Sequence, residues 1–299
     1  MSTDPLVIVL LGPTAAGKSD LAIALAEALD LAVLSVDSRQ VYRGMDVGTA
    51  KPTPAQRARV RHELLDLRDP DDPMSLHEFQ AEAHAAIRLE HQRRGIALLA
   101  GGSGLYLKAL TDGWQPPAIP AQPWLRHQFT GLGQEVCHAL LRQCDPRAAE
   151  RIAAADSVRT QRALEVLYGS GRPVSEQRNR RPPPWRVLEL GLLPADLNRR
   201  IRERSASLYS GGLLEETQTL IDRYGADLPL LRTIGYGEAV ERIRGGLRPE
   251  EALRTTIRRT QQLAKRQRTW FRRQHSPTWL PAGEPPLTAA LTAIRSVLG

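Results

Sequence analysis

Gly12, Gly17, Lys18 and Ser19 stand in the stretch GPTAAGKS, with four residues between the two glycines. Those residue types at that spacing suit the holding of a phosphate. The glycines let backbone N–H groups converge on an anion, the helix that follows adds partial positive charge at its N-terminus, and Lys18 brings a mobile cation. Ser19 offers a hydroxyl able to ligate Mg2+. The candidate diphosphate-binding residues are therefore Gly12, Pro13, Thr14, Ala15, Ala16, Gly17, Lys18 and Ser19. A second group of interest opens at Asp37, which ends the apolar run of residues 31–36 and begins a polar, glycine-spaced loop in SVDSRQVYRGMDVGTAKP. A carboxylate at the tip of a strand beside a phosphate loop points at whatever the bound phosphate is about to lose or gain. Two chemical roles are open to it: holding Mg2+ through water, or acting as general base on an acceptor group. An ordinary turn aspartate is the bland alternative.

Particular elements must position these groups. Leu6–Leu11 is a continuous apolar run, the pattern of a parallel strand buried on both faces, and Leu21, Leu25 and Leu29 recur at helical spacing behind the phosphate loop. Strand, loop and helix thus arrive in the order the motif requires. Residues 31–36 read as a second strand, 96–100 as a third leading into GGSGLY, and 187–193 as a fourth. Alternation with helical segments predicts an α/β fold with a doubly wound, mostly parallel sheet, in which ligands gather at the carboxyl ends of the strands. The third strand ends in glycines where many nucleotide hydrolases carry a metal-binding aspartate, so Asp37 is the acid available at that edge. Residues 114–184, bounded by proline-rich ends and helical within, read as an inserted helical domain, leaving 1–113 and 185–299 as the core.

The chain has 299 residues, 41% of them hydrophobic and 25% charged, enough for a sizeable core. Its net charge of +8 favours an anionic partner. The helix around residues 257–271 carries Arg258, Arg259, Lys265, Arg266 and Arg268 with few acids to match, a plausible stripe for a phosphate backbone, while Trp270 and Phe271 read as core. Arg159 and Arg162 lie on an inserted helix, and Arg178, Arg180 and Arg181 crowd the exit of the insertion. Together these make RNA the better anionic partner. Cys137 and Cys144 lack the clustering of a zinc site or a disulfide scaffold and read as core or half-buried thiols in a reducing compartment. The N-terminus has no basic region and its apolar stretch is too short for a membrane span, so a cytoplasmic protein without a membrane partner is expected.

GPTAAGKS, SVDSRQVYRGMDVGTAKP, GGSGLYLKAL, RALEV, IGYGEA and QLAKRQRTWFR occur in this order over nearly the whole chain. In this the sequence resembles the bacterial tRNA dimethylallyltransferase (tRNA isopentenyl transferase) family. The resemblance implies a core similar to phosphate-loop (P-loop) kinases that takes a prenyl diphosphate in place of ATP. It implies transfer of the dimethylallyl group of dimethylallyl diphosphate to N6 of the adenosine 3' of the anticodon, in tRNAs reading codons that begin with U. It further implies Asp37 as the base, Lys18 and Arg232 as catalytic groups at the diphosphate, and Mg2+ placed by Ser19. Implied tRNA contacts are Asp37, Ser38, Arg39, Gln40, Ser103, Arg126, Val158, Arg159, Thr160, Gln161, Arg162, Arg232, Thr233, Ile234, Gly235, Tyr236 and Gly237. The chain departs from the family pattern at Ser103, where threonine is usual, and at Gly237, where a larger residue is common. A monomer enclosing an anticodon stem-loop is expected.

Overall fold

The computed structural model describes residues 4–177, 179–281 and 286–298. From the N-terminus, β1 (Leu6–Leu11) leads through the glycine loop into α1 (Lys18–Leu29) and β2 (Val33–Val36). A loop then reaches α2 (Pro54–Arg59), started by a Thr53 capping box, and the short β3 (His62–Glu63). Next come α3 (Leu76–Arg94), β4 (Ile96–Gly101) and α4 (Gly104–Thr111). The inserted segment holds β5 (Trp114–Gln115), α5 (Pro123–Leu132), α6 (Gln134–Cys144), α7 (Pro146–Ala149), α8 (Ser157–Ser170) and β6 (Asn179–Arg180). The chain returns through β7 (Arg186–Gly191), α9 (Leu197–Ser210), α10 (Leu213–Tyr224), α11 (Tyr236–Ile243), α12 (Pro249–Gln274), β8 (Thr278–Trp279) and α13 (Pro286–Leu298).

Among the described residues the main sheet has six strands in the order β3-β2-β4-β1-β7-β8, every pairing parallel. Alternation along β1 explains why the run is apolar throughout. Val7, Val9 and Leu11 face one hydrophobic cluster with Phe79, Ile87 and Leu107, whereas Leu6, Ile8 and Leu10 face another with Leu25, Ala290 and Ile294. Helices therefore cover both faces, and the fold class is the expected α/β with a parallel sheet. β3 and β8, two residues each, are strands too short to leave a periodic pattern. The strand expected at 31–36 is trimmed to Val33–Val36, and that expected at 187–193 begins one residue earlier and ends two earlier, at Arg186–Gly191.

The chain divides into two compact units, one of residues 1–74, 78–111 and 183–299, the other of 75–77 and 112–182. The smaller unit has its own core of Leu125, Phe129, Cys137, Leu141, Ala148, Ile152 and Leu164. Cys137 is buried there, but Cys144 is exposed, contrary to the expectation of two sheltered thiols. It occupies the last position of α6, where the helix gives way to Asp145. The helical pattern expected across 145–167 is broken between α7 and α8, where the Asp156 carboxylate accepts the Arg159 N–H and starts a new helix. Phe271 is buried as expected, while Trp270 is only partly so. Among the described residues no helix is long and apolar enough to cross a membrane.

Candidate functional site

The phosphate loop takes its shape from close packing as much as from glycine freedom. A Cβ on Gly12 would lie 2.5 Å from the Leu192 carbonyl oxygen, so β1 and the end of β7 approach only because that position is glycine. Ala15 and Gly17 both have positive φ, 63° and 89°, which turns the loop back over itself before α1 begins. Lys18 folds across this turn, its Nζ donating to the Pro13 carbonyl at 2.7 Å, and Ser19 lies exposed on the first turn of α1. Ala15 and Leu193 pack against a buried cluster of Leu197, Ile201 and Ala264. A cavity of about 320 Å3, lined by residues that include Leu193, Leu197, Ala264, Lys265 and Arg268, opens at the same cluster.

Asp37 follows β2 at the carboxyl edge of the sheet. Its Oδ1 accepts the Arg39 N–H at 2.8 Å in an Asx turn, which leaves Oδ2 free of that bond. The turn is held from β4: Ser103 Oγ accepts the Ser38 N–H at 3.0 Å. Ser103 is thus engaged in shaping the Asp37 turn. A Cβ on Gly101 would come within 2.1 Å of the Val36 carbonyl oxygen, so no metal-binding side chain has room at the end of this strand. Gly104 faces the Trp270 ring so closely that a Cβ would lie 2.2 Å from Cδ1.

Two residues that sequence reasoning missed complete the site. Arg204, on α9, is half-buried and interacts electrostatically with both Lys18 and Asp37. Burial, and then the Arg204 charge, push the Lys18 ammonium down to about 7, with the Asp37 carboxylate opposing them. Burial likewise holds the Arg204 guanidinium below its usual range, again opposed by Asp37. Two cations therefore share one carboxylate, an arrangement with unmet demand for negative charge. Arg200, one turn before Arg204, reaches within 3.6 Å of the Cβ position on Gly17. The second residue missed is Gln267 on α12, whose Oε1 accepts the Thr14 N–H at 2.8 Å while Nε2 donates to the Gly102 carbonyl at 3.0 Å. It ties the phosphate loop to the glycine turn after β4. Gln267 lies within the QLAKRQRTWFR stretch, and the NRRIRERSAS run holds two arginines one turn apart, but neither signal distinguishes a ligand-facing side from a solvated one.

The other residues implied by the resemblance fall into two kinds. Arg39, Val158 and Arg159 are exposed, as is Arg232, which ends a single 3-10 turn and whose carbonyl accepts from Arg259. Gln40 braces the loop above Asp37, accepting from Ser35 Oγ and donating to the Thr49 and Ala50 carbonyls. Several are committed to packing. Thr160 is fully buried, and Gln161 reaches Thr130 Oγ1 at 3.4 Å. Arg126 makes two bonds to the buried Glu165 carboxylate, and Arg162 binds the same carboxylate and the Ile119 carbonyl. Burial alone would raise the Glu165 carboxyl. Arg126, the Gln122 N–H and Arg162 more than offset this and hold it below the usual range. Thr233 Oγ1 donates to the Leu230 carbonyl, and the Ile234 side chain is half-buried. Gly235 and Tyr236 are buried, the Tyr236 hydroxyl donating to Glu216, and Gly237 packs close to Arg259. Arg180 pairs with Asp112, Arg181 is exposed, and Arg178 lies outside the described residues.

Comparison with known proteins gives a consistent result. A model of the IPP transferase family matches residues 40–274. A tRNA dimethylallyltransferase of Synechococcus sp. (strain CC9605) is 62% identical over 297 residues, 99% of each chain, and that of strain CC9902 is 63% identical over the full length of both. Among solved structures, a tRNA isopentenylpyrophosphate transferase from Bacillus halodurans superposes with a TM-score of 0.69 at 32% identity, covering 98% of this chain and 96% of that one. A eukaryotic dimethylallyltransferase acting on tRNA gives a TM-score of 0.81 at 25% identity, over 98% of this chain and 78% of the other.

Proposed function

The chain belongs to the IPP transferase family, and on that premise we infer that it is an enzyme transferring a dimethylallyl group to tRNA. The donor we assign is dimethylallyl diphosphate. The acceptor is N6 of the adenosine on the 3' side of the anticodon, in tRNAs that read codons beginning with U. One observation carries the reading: the glycine loop that holds Lys18 and the turn that holds Asp37, braced by Ser103, stand at the same carboxyl edge of the parallel sheet, with Arg204 acting on both side chains.

The chemistry follows from that arrangement. The exocyclic nitrogen of adenine is a weak nucleophile because its lone pair is delocalised into the ring. As the new N6–carbon bond forms, the nitrogen must shed a proton, and Asp37 Oδ2 is the acceptor offered. The allylic carbon–oxygen bond breaks, its electron pair leaves with the diphosphate, and positive charge spreads over the allyl group. The protein's main task is then to hold and neutralise the diphosphate, which Lys18, Arg204 and the N–H groups of residues 14–19 suit. The exposed Ser19 hydroxyl fits Mg2+, which with the diphosphate oxygens would supply further neutralisation of the leaving group. An adenosine stacked in an anticodon loop must leave its stack to reach a carboxylate at the sheet edge, so the base is flipped. Arg39, Val158, Arg159 and the exposed cations of α12, Arg266 among them, are our candidates for RNA contact. We place the enzyme in the cytoplasm, acting as a monomer, because its substrate is cytoplasmic RNA and each chain carries one complete set of these groups.

Purified protein supplied with labelled dimethylallyl diphosphate and either tRNA or AMP tests the reading. Label should enter tRNA, with no ATP in the reaction. Label in AMP would make the protein an adenylate prenyltransferase, and a requirement for ATP hydrolysis would point to a small-molecule kinase.

A further inference from the structure

Between Asp37 and α2 the chain makes a long excursion, and its middle is held by a side chain to which neither the phosphate loop nor the base gives a role. Glu216, in the first turn of α10, turns its carboxylate onto three successive backbone N–H groups: Oε2 accepts from Asp46 at 2.8 Å and Val47 at 2.7 Å, and Oε1 from Gly48 at 3.0 Å. The buried Tyr236 hydroxyl donates to the same Oε1. Burial, then the Glu216 charge, push the Tyr236 hydroxyl far above its usual range, so it stays a donor. Gly48 lies flat against this ring, since a Cβ there would come within 2.4 Å of it. An ionised carboxylate accepting several N–H bonds is among the stronger anchors available to a loop.

What the anchor holds is the next carbonyl pair. The Thr49 carbonyl accepts from Arg204 Nη2 at 3.5 Å and from Gln40 Nε2 at 3.3 Å, and the Ala50 carbonyl accepts from Gln40 at 3.2 Å. Gln40 also receives Ser35 Oγ from β2, directly before the Asp37 turn. The buried Lys51, which reaches Asp46, Asp66 and the Tyr42 carbonyl, joins the start of the clamped segment to the far side of the excursion. We propose that Glu216 is a positioning residue for the transfer reaction: by clamping the backbone of residues 46–48 it sets the Thr49 carbonyl that orients the Arg204 guanidinium beside Lys18 and Asp37. This rests on the function assigned above. The clamp also joins the loop to Tyr236 within the segment of residues 232–237, so that segment meets the reaction centre through backbone geometry.

Glu216→Gln keeps size while replacing one acceptor oxygen by an NH2 that faces N–H groups. The expected result is a fall in kcat of roughly 10- to 100-fold, with KM for tRNA changed less than about threefold, in line with an interaction made mainly in the transition state. Because Arg204 acts as an electrostatic partner of Lys18, its release should also raise the pH above which inorganic diphosphate binding weakens, a readout that mere destabilisation would not move. In a cycle with Arg204→Ala, the double variant should lose little more than Arg204→Ala alone, since both act through one guanidinium. Amide exchange at residues 46–48 should speed up in Glu216→Gln while α1 keeps its protection. Additive losses in the cycle, or an unshifted diphosphate-binding pH profile, would overturn the proposal. If the wild type itself fails to prenylate tRNA, the functional reading fails instead, and the diphosphate and exchange measurements still judge the clamp.

Discussion

Arginine is used in opposite ways in the two units of this chain. In the core, Arg204 and Lys18 both act on the carboxylate of Asp37, and burial lowers the proton affinity of each cation. In the inserted unit, Arg126 and Arg162 converge on Glu165, whose carboxylate is fully buried and saturated by their bonds and by the Gln122 N–H. The first arrangement has two cations to one carboxylate, the imbalance that the proposed diphosphate would fill. The second is complete already. A basic residue in a motif is therefore a ligand contact only where its local charge balance is left open.

The contrast breaks most visibly at its open end. Arg204→Ala and Lys18→Ala should each lower kcat/KM for dimethylallyl diphosphate by roughly 100- to 1000-fold, the scale seen when one stabilising donor is removed from a developing anion. Thermal unfolding should move little in either variant. Loss of unfolding cooperativity together with activity would mean that these cations support the fold as Arg126 does.

At the closed end the expected change is in stability. Glu165→Ala removes the buried carboxylate that Arg126 and Arg162 share, and breaking a fully buried ion pair costs about 3 to 5 kcal/mol. Because the two arginine side chains are 46% and 34% exposed, the loss should be nearer ~2 kcal/mol, read by urea unfolding of the whole protein. The low Glu165 carboxyl contributes stability that is present above its unfolded range and is lost on acidification through its folded value. Catalysis by the folded fraction should stay within a few-fold of wild type. A variant as stable as wild type would show the triad to be replaceable.

A third test uses pH. The folded Lys18 sits at about 7, well below its ordinary value of 10.5, so between those pH values the unfolded chain binds the extra proton and stability rises with pH. Anion binding runs the other way. Below about 7 Lys18 is already charged, whereas above it a bound diphosphate must draw in a proton, so affinity should fall by up to about tenfold per pH unit. Calorimetry with inorganic diphosphate in two buffers of different ionisation enthalpy would detect that proton, and its absence at pH 8 would contradict the open charge balance.

The smallest effects belong to exposed cations. Arg159→Gln and Arg266→Gln should each flatten the slope of log tRNA affinity against log salt by about 0.7 to 0.9 for every phosphate that the arginine neutralises. Arg162→Gln should leave the slope alone and act through stability, because its guanidinium is bound to Glu165 and the Ile119 carbonyl. Equal slopes in all three would make the exposed arginines a solvated face.

These distinctions mark how far the sequence could be read. Local features were legible: the strand, glycine turn and helix at residues 6–29 follow from glycine spacing and apolar periodicity within one short stretch, and the burial of β1 from an apolar run that alternates between two cores. Asp37 was visible because a polar residue interrupts a buried strand. Arg204 and Gln267 were not, because each enters the site from a helix remote in sequence, and their neighbours Arg199, Arg200 and Lys265, Arg266 look like ordinary exposed faces. Spacing also could not tell that Glu165 and Glu216, two acids on helices, are consumed by partners far along the chain. Charge balance is a property of the folded site, and only the partners reveal it.

Asp37 is the group proposed to take the N6 proton. Single-turnover transfer in a preformed complex of tRNA and dimethylallyl diphosphate isolates that step from binding. Asp37→Asn, which keeps the shape and the Arg39 N–H bond, should slow the transfer by about 100-fold or more while leaving tRNA affinity within a few-fold. Transfer at the wild-type rate in that variant would contradict the assignment of the base and, with it, the reading of the open carboxylate at the sheet edge.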